Sequence, residues 1–116
     1  MRVLVCGGRD FTNLDLVRKT IDSFGKDVIV IHGGAQGADS LAGAVAKELG
    51  LQLEVYPAQW AKYGKAAGPI RNQQMLDSKP DTVIAFPGGK GTKDMVTRAT
   101  NNGVPVIVVK ESDDVD

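Results

Sequence analysis

Thr82-Val83-Ile84-Ala85-Phe86-Pro87-Gly88-Gly89-Lys90-Gly91-Thr92-Lys93-Asp94 reads as a short apolar strand, a glycine-rich turn and a helical pattern. Glycines let a backbone approach a ligand closely and leave their N–H groups bare, and a helix start adds a partial positive charge; together these make a seat for phosphate. Two further glycine-rich turns follow apolar runs, Cys6-Gly7-Gly8-Arg9 and His32-Gly33-Gly34-Ala35-Gln36-Gly37. Three such turns in one short chain point to a nucleotide-type pocket.

Working outward, strands and helices alternate. Val3–Cys6 reads as a buried strand. Thr12 or Asn13 can cap a helix carrying Leu14, Val17, Ile21 and Phe24, which Gly25 ends. Val28–Ile31 is β-branched throughout and reads as a central parallel strand. Asp39–Leu49 is a small-residue helix closed by Gly50, and Leu51–Tyr56 is a strand stopped by Pro57. Residues 58–68 read as irregular, with a helix over Ile70–Leu76 after Pro69. Asp81–Phe86 is the fourth strand, Lys93–Asn102 a helix ended by Gly103, and Val104–Val109 an edge strand with Pro105 near its start. This alternation predicts an α/β fold: a Rossmann-like three-layer α/β/α domain with a five-stranded parallel sheet in the order 3-2-1-4-5. The crevice is then expected beyond the carboxyl ends of strands one and four, where the order reverses.

The chain has 116 residues, 42% of them hydrophobic, which suits one domain over 1–110 followed by an acidic tail at 111–116. Fourteen basic residues balance fourteen acidic ones, so no global field favours nucleic acid or an anionic membrane. The single cysteine, Cys6, excludes an internal disulfide and reads as core or pocket wall. No apolar run approaches the roughly 20 residues of a membrane helix. The opening Met1-Arg2-Val3-Leu4-Val5 enters a strand at once, so no signal peptide and a cytoplasmic location are expected. No metal-ligand cluster is visible, and no cofactor is expected.

Gly7, Gly8 and Arg9 suit either ligand contact or plain turn chemistry, with Arg9 able to stack on a base or grip phosphate. The second turn offers Gly33, Gly34, Gln36 and Gly37, but His32 stands where a dinucleotide site carries an acid, and no Walker lysine follows. Asp39 reads as a helix cap or first-turn acid, or as a partner for a ribose hydroxyl. His32 reads as a structural residue bonded to backbone in preference to a general acid or base. Gly68-Pro69-Ile70-Arg71-Asn72 places an arginine at a helix start beside a glycine turn, which suits a phosphate fork, with a surface salt bridge as the alternative. In the last turn Pro87, Gly88, Gly89, Lys90, Gly91 and Thr92 read as a phosphate loop, with Lys90 either touching phosphate or simply solvated, and Asp94 is expected in the first turn of the following helix. Asp94 either complements the helix dipole or aims at a ribose or glycosidic carbon. Trp60 and Tyr63 can cover the pocket and stack a base, or pack inside the protein.

Pro87–Asp94 resembles the PGGxGTxxE motif of the Lonely Guy family of nucleoside 5′-monophosphate phosphoribohydrolases. His32–Asp39 together with Gly68–Asn72 resembles the GGAxGID and GRNR segments of the DNA-processing protein A family. Both families belong to the SLOG superfamily, and the opening Val5-Cys6-Gly7-Gly8-Arg9-Asp10-Phe11 is most similar to its YspA-type branch. The resemblance implies a nucleotide pocket, and its relatives imply a homodimer or larger oligomer. It also implies catalytic positions: the family's glutamate falls on Asp94, one methylene shorter, and its upstream arginine on Arg71. A carboxylate there can stabilise an oxocarbenium-like transition state or activate water.

The expected function is binding of a nucleotide or nucleotide-derived ligand by a sensor or sequestering module. The alternative is hydrolysis of a nucleoside 5′-monophosphate to base and ribose 5-phosphate. Single-stranded DNA binding ranks third, because the chain has zero net charge and no basic run.

Overall fold

The computed structural model describes residues 1–111, so most of the acidic tail, 112–116, lies outside the described residues. The elements run β1 (Arg2–Cys6), α1 (Leu14–Asp22), β2 (Ile29–His32), α2 (Ala38–Leu49), β3 (Gln52–Val55), α3 (Trp60–Tyr63), a 3₁₀ turn (Gly64–Ala66), α4 (Ala67–Asp77), β4 (Thr82–Ala85), α5 (Lys90–Asn101) and β5 (Val106–Val108). The sheet is parallel throughout, in the order β3-β2-β1-β4-β5. Val3 pairs with both Val30 and Thr82, which makes β1 the central strand.

Alternation along the strands divides the core into two layers. Val3, Val5, Val30, Ile84 and Phe86 pack with the buried side chains of α1 and α2 on one face. Leu4, Cys6, Ile31, Val83 and Ala85 pack with Met75, Leu76, Met95 and Ala99 of α4 and α5 on the other. A sheet covered on both faces buries its central strands almost throughout, and each fully buried Val, Leu or Ile contributes about 1.5–3 kcal/mol.

Local chemistry sets the helix limits. Asn13 caps α1 by accepting the Leu16 N–H through Oδ1 at 3.0 Å. Phe24 lies beyond the end of α1, yet still packs against the core. Ala38, Ala42 and Ala46 of α2 are fully buried, so small side chains bring this helix close to the sheet. Gly50 ends it in the left-handed conformation.

Several boundaries differ from the sequence expectation. The segment expected to be irregular is largely helical: α3 and the 3₁₀ turn lead into α4, which starts at Ala67. Gly68 and Pro69 therefore sit inside the first turn of α4, where a missing N–H is tolerated, and no glycine turn precedes Arg71. Helix α5 starts at Lys90, three residues before the expected Lys93, because the first N–H groups of a helix need no helical partner and Gly91 and Thr92 fit there. Asp94 is consequently beyond the first turn. Strands β3 and β5 are each shorter than expected, and Pro105 lies just before β5, accepting the Val83 N–H at 2.9 Å.

The three glycine turns converge at the carboxyl edge of β1, β2 and β4. The Gly8 N–H donates to Pro87 O at 2.8 Å, and the Ala38 N–H donates to Gly8 O at 3.1 Å. A Cβ at Gly7 would lie 2.5 Å from the Ala38 Cβ. One at Gly37, where φ is +78°, would overlap the Gly8 carbonyl. Gly37→Ala is therefore expected to destabilise the fold by at least about 2 kcal/mol, and Gly50→Ala, strained in φ but facing open space, by about 1 kcal/mol. Urea unfolding of the two variants checks the order; equal losses would remove the loop contact as the cause.

Candidate functional site

A cleft of about 760 Å³ opens where the strand order reverses between β1 and β4. Its wall collects residues from every turn: Gly7, Gly8 and Arg9 after β1; Gly33, Gly34, Gln36 and Asp39 after β2; Arg71 and Asn72 on α4; and Gly89, Lys90, Gly91, Thr92 and Asp94 after β4. The expected site residues Pro87 and Gly88 instead line a smaller hollow of about 470 Å³ beside Arg9, Phe11 and Glu111. Gly37 lines neither, since it is spent on contact with the Gly8–Arg9 backbone.

Most of these glycines are accounted for by packing. A Cβ on Gly33 would overlap the Arg71 guanidinium, and one on Gly88 would overlap Thr92 Oγ1. Gly89 and Gly91 differ, because nothing lies within 4 Å of a Cβ at either position.

Asp39, the second residue of α2, turns back into the loop that precedes it. Its Oδ2 accepts the Gly33 N–H at 3.0 Å and the Ala35 N–H at 3.2 Å. Burial raises its pKa, opposed by the Ala35 N–H, the Arg71 charge and the Gly33 N–H. The carboxylate thus ties the second turn to the start of α2.

His32 has the backbone role expected of it. Its Nδ1 accepts the Gly34 N–H at 2.9 Å, which places the ring proton of the neutral form on Nε2. Nε2 lies against Gly43, where a Cβ would come within 2.9 Å. Burial, followed by the Arg71 charge, lowers the His32 pKa from 6.5. Cys6 lines the cleft floor, and burial, with a smaller effect of Asp39, pushes its thiol up to about 12. It is protonated at neutral pH and a poor nucleophile.

Arg71 and Asp94 belong to one chain of polar contacts. Arg71 donates from Nη1 to Gly33 O at 2.6 Å and from Nε to Asn72 Oδ1 at 3.1 Å. Buried Asn72 donates from Nδ2 to Asp94 Oδ2 at 2.9 Å and to Gly91 O at 3.3 Å. Arg98, four residues on, donates to the same Asp94 oxygen at 2.9 Å and to Gln73 Oε1 at 3.1 Å. Sequence reasoning missed Arg98 and Gln73. The only available signal was the i,i+4 spacing of Asp94 and Arg98 on a helix. Among the described residues, no group of three or more His, Cys, Asp or Glu side chains is placed to hold a metal ion. No helix there is long and apolar enough to cross a membrane.

The family model for the YspA, cpYpsA-related SLOG family matches residues 1–63. A relative from Mycobacterium phage D29, the Gene 61 protein, is 34% identical over 117 residues, covering 91% of this chain and 94% of its own. The chain belongs to the YspA, cpYpsA-related SLOG family. A similar fold is seen in the X-ray structure of DNA processing protein A from Streptococcus pneumoniae, at a TM-score of 0.55 and 16% identity. That match covers 91% of this chain, which spans 58% of the length of the neighbour. The family match holds the first two glycine turns, and the polar chain through Arg71 and Asp94 lies beyond it.

Because His32 is held neutral, it contributes stability above its unfolded pKa, and that contribution is lost as pH falls below about 6.5 toward the lowered folded value. Asp39 has the opposite sign, stabilising at low pH and losing that contribution as pH rises through its raised value. Urea midpoints measured from pH 7 to pH 5 are expected to fall in the native protein. The fall should flatten in His32→Asn, whose amide oxygen can accept the Gly34 N–H; an unchanged slope would remove His32 from the account.

Proposed function

We propose that this protein binds a nucleotide or nucleotide-derived ligand in the cleft at the carboxyl ends of β1, β2 and β4, as a sensor or sequestering module. The observation that carries this reading is Gly91. It lies on the cleft wall in the first turn of a helix, and nothing lies within 4 Å of a Cβ built there. Its φ is not positive, and packing gives no reason for a bare backbone. Close approach by a ligand does. The N–H groups of Lys90, Gly91 and Thr92 have no preceding turn of helix to bond, and the partial positive charge at that end favours an anion. Lys90, Arg9 and Arg71 on the same cleft wall supply formal charge.

A second reading, hydrolysis of the N-glycosidic bond of a nucleoside 5′-monophosphate, has Asp94 in its favour. The carboxylate lines the cleft, and both of its hydrogen bonds fall on Oδ2, among the described residues. Arg98 Nε donates to that oxygen at 2.9 Å, so the carboxylate is tied to its own helix and only Oδ1 is left to face a substrate. Binding therefore ranks first, catalysis second, and single-stranded DNA third, where the name of the structural neighbour is its main support. The homo-oligomer implied by family resemblance is supported by β5, the edge strand among the described residues, where Ile107 and Val108 are exposed.

Incubation with nucleoside mono-, di- and triphosphates and ADP-ribose, read by mass spectrometry, tests the ranking. Retained, uncleaved ligand is expected, and Arg71→Ala is expected to weaken it at least about tenfold with the fold retained. Affinity that survives Arg71→Ala would move the pocket elsewhere. Free base released by the native protein and absent with Asp94→Asn would replace the first reading by the second.

A further inference from the structure

Asp39 spends only one of its two carboxylate oxygens on the fold. Oδ2 accepts both loop amides, the Gly33 N–H at 3.0 Å and the Ala35 N–H at 3.2 Å. Oδ1 makes no hydrogen bond among the described residues, yet it is not sealed in the core. Among those residues, the buried side-chain nitrogen or oxygen without a partner is Arg2 Nε alone. Asp39 is 6% exposed and lines the cleft, so Oδ1 opens on the cleft side.

The loop tie by itself does not call for a charge. An asparagine amide oxygen in the same place can accept the same two N–H groups. Burial disfavours the charged form of Asp39, as its raised pKa records. Aspartate and asparagine differ at the second atom, an acceptor in one and an NH₂ donor in the other. What aspartate adds here is a hydrogen-bond acceptor at the cleft surface.

Arg71 narrows the choice of donor. Gly33 gives its N–H to Asp39 and takes Arg71 Nη1 on its carbonyl at 2.6 Å, so carboxylate and guanidinium hang on one residue. An ionised carboxylate repels phosphate and can only accept, so it meets a neutral donor beside the anion that Arg71 holds. In a nucleotide the neutral donors nearest the phosphate are the sugar hydroxyls, and the base lies beyond them.

We infer that Asp39 Oδ1 accepts a hydrogen bond from a ribose hydroxyl, so that the cleft selects ribonucleotides over deoxyribonucleotides. The inference rests on the nucleotide-binding reading of the same cleft, with phosphate at Arg71, and names the sugar that the cleft takes. The two roles open to Asp39 in the sequence then fall one to each oxygen.

Titration calorimetry with the mono-, di- and triphosphates of adenosine, guanosine, cytidine and uridine, each beside its 2′-deoxy and 3′-deoxy counterparts, tests it. For at least one base, loss of one hydroxyl is expected to weaken binding to the native protein at least about tenfold. Asp39→Asn keeps an oxygen for the Gly33 and Ala35 N–H groups and puts a donor at the cleft surface. In that variant the ribose and deoxyribose forms are expected to bind within about twofold of each other. The ratio is the readout, because removing a negative charge also relieves its repulsion of the phosphate. Deoxy forms that bind the native protein as tightly as ribose forms would overturn the inference and leave the nucleotide reading in place, whether or not Asp39→Asn folds. A tenfold preference that survives Asp39→Asn would move the hydroxyl contact away from Asp39. Failure of every nucleotide to bind would overturn both readings together.

Discussion

The Gly8 peptide units join the three loops of this protein into one structure. The Gly8 N–H reaches the Pro87 carbonyl after β4, and its carbonyl takes the Ala38 N–H at the start of α2. Backbones meet at this distance only where side chains are absent, so Gly7, Gly8, Gly37 and Gly88 are consequences of a single close approach. The contact sets how far apart the ends of β1, β2 and β4 stand. It also orients the starts of α2 and α5 toward the same cleft. Had these loops been splayed by even one methyl group, the helix ends would not share an opening.

On that frame a second network positions the charged groups. Arg71 on α4 is tied to the second glycine loop through Gly33 O, and to α5 through Asn72 and Asp94. Asn72 is buried and uses both ends of its amide, accepting from Arg71 and donating to Asp94. A buried amide satisfied in this way has one preferred orientation, and it transmits that orientation to its neighbours. Loops after β2 and β4 are thus coupled across the cleft by side chains as well as by backbone. The segment carrying Trp60 is held differently, with no buried side chain in α3 or the 3₁₀ turn. The cleft joins a hydrogen-bonded polar floor to an aromatic wall of low local packing.

Much of this fold was legible before any coordinates. The strand of β-branched residues at Val28–Ile31 and the apolar run ending at Phe86 identify buried strands by composition alone, and alternation with helices implies parallel pairing. Residues 58–68 were not legible, because a tryptophan, glycines and a proline in a short span read as a loop, whereas the start of a helix accepts Pro69 and Gly68 without loss. The same property of first turns concealed the start of α5. Within the site, the cluster of glycines was visible but its division was not. Gly37 and Gly91 are the same letter, yet one is filled by a neighbouring carbonyl and the other faces empty space.

The sequence by itself determined the alternating elements, the reversal of strand order at β1 and the edge on which the glycine turns gather. Each follows from local periodicity and from short connections, which act within a few residues. The tertiary structure alone decided which glycines serve packing and which stay open, and that Arg71, Asn72 and Asp94 form one chain with Arg98. It also decided that Trp60 lines the cleft from α3, against the first turn of α4. Those outcomes depend on hydrogen bonds and overlaps a few ångströms long between residues as far apart in sequence as Gly33 and Arg71. No local pattern encodes such a distance.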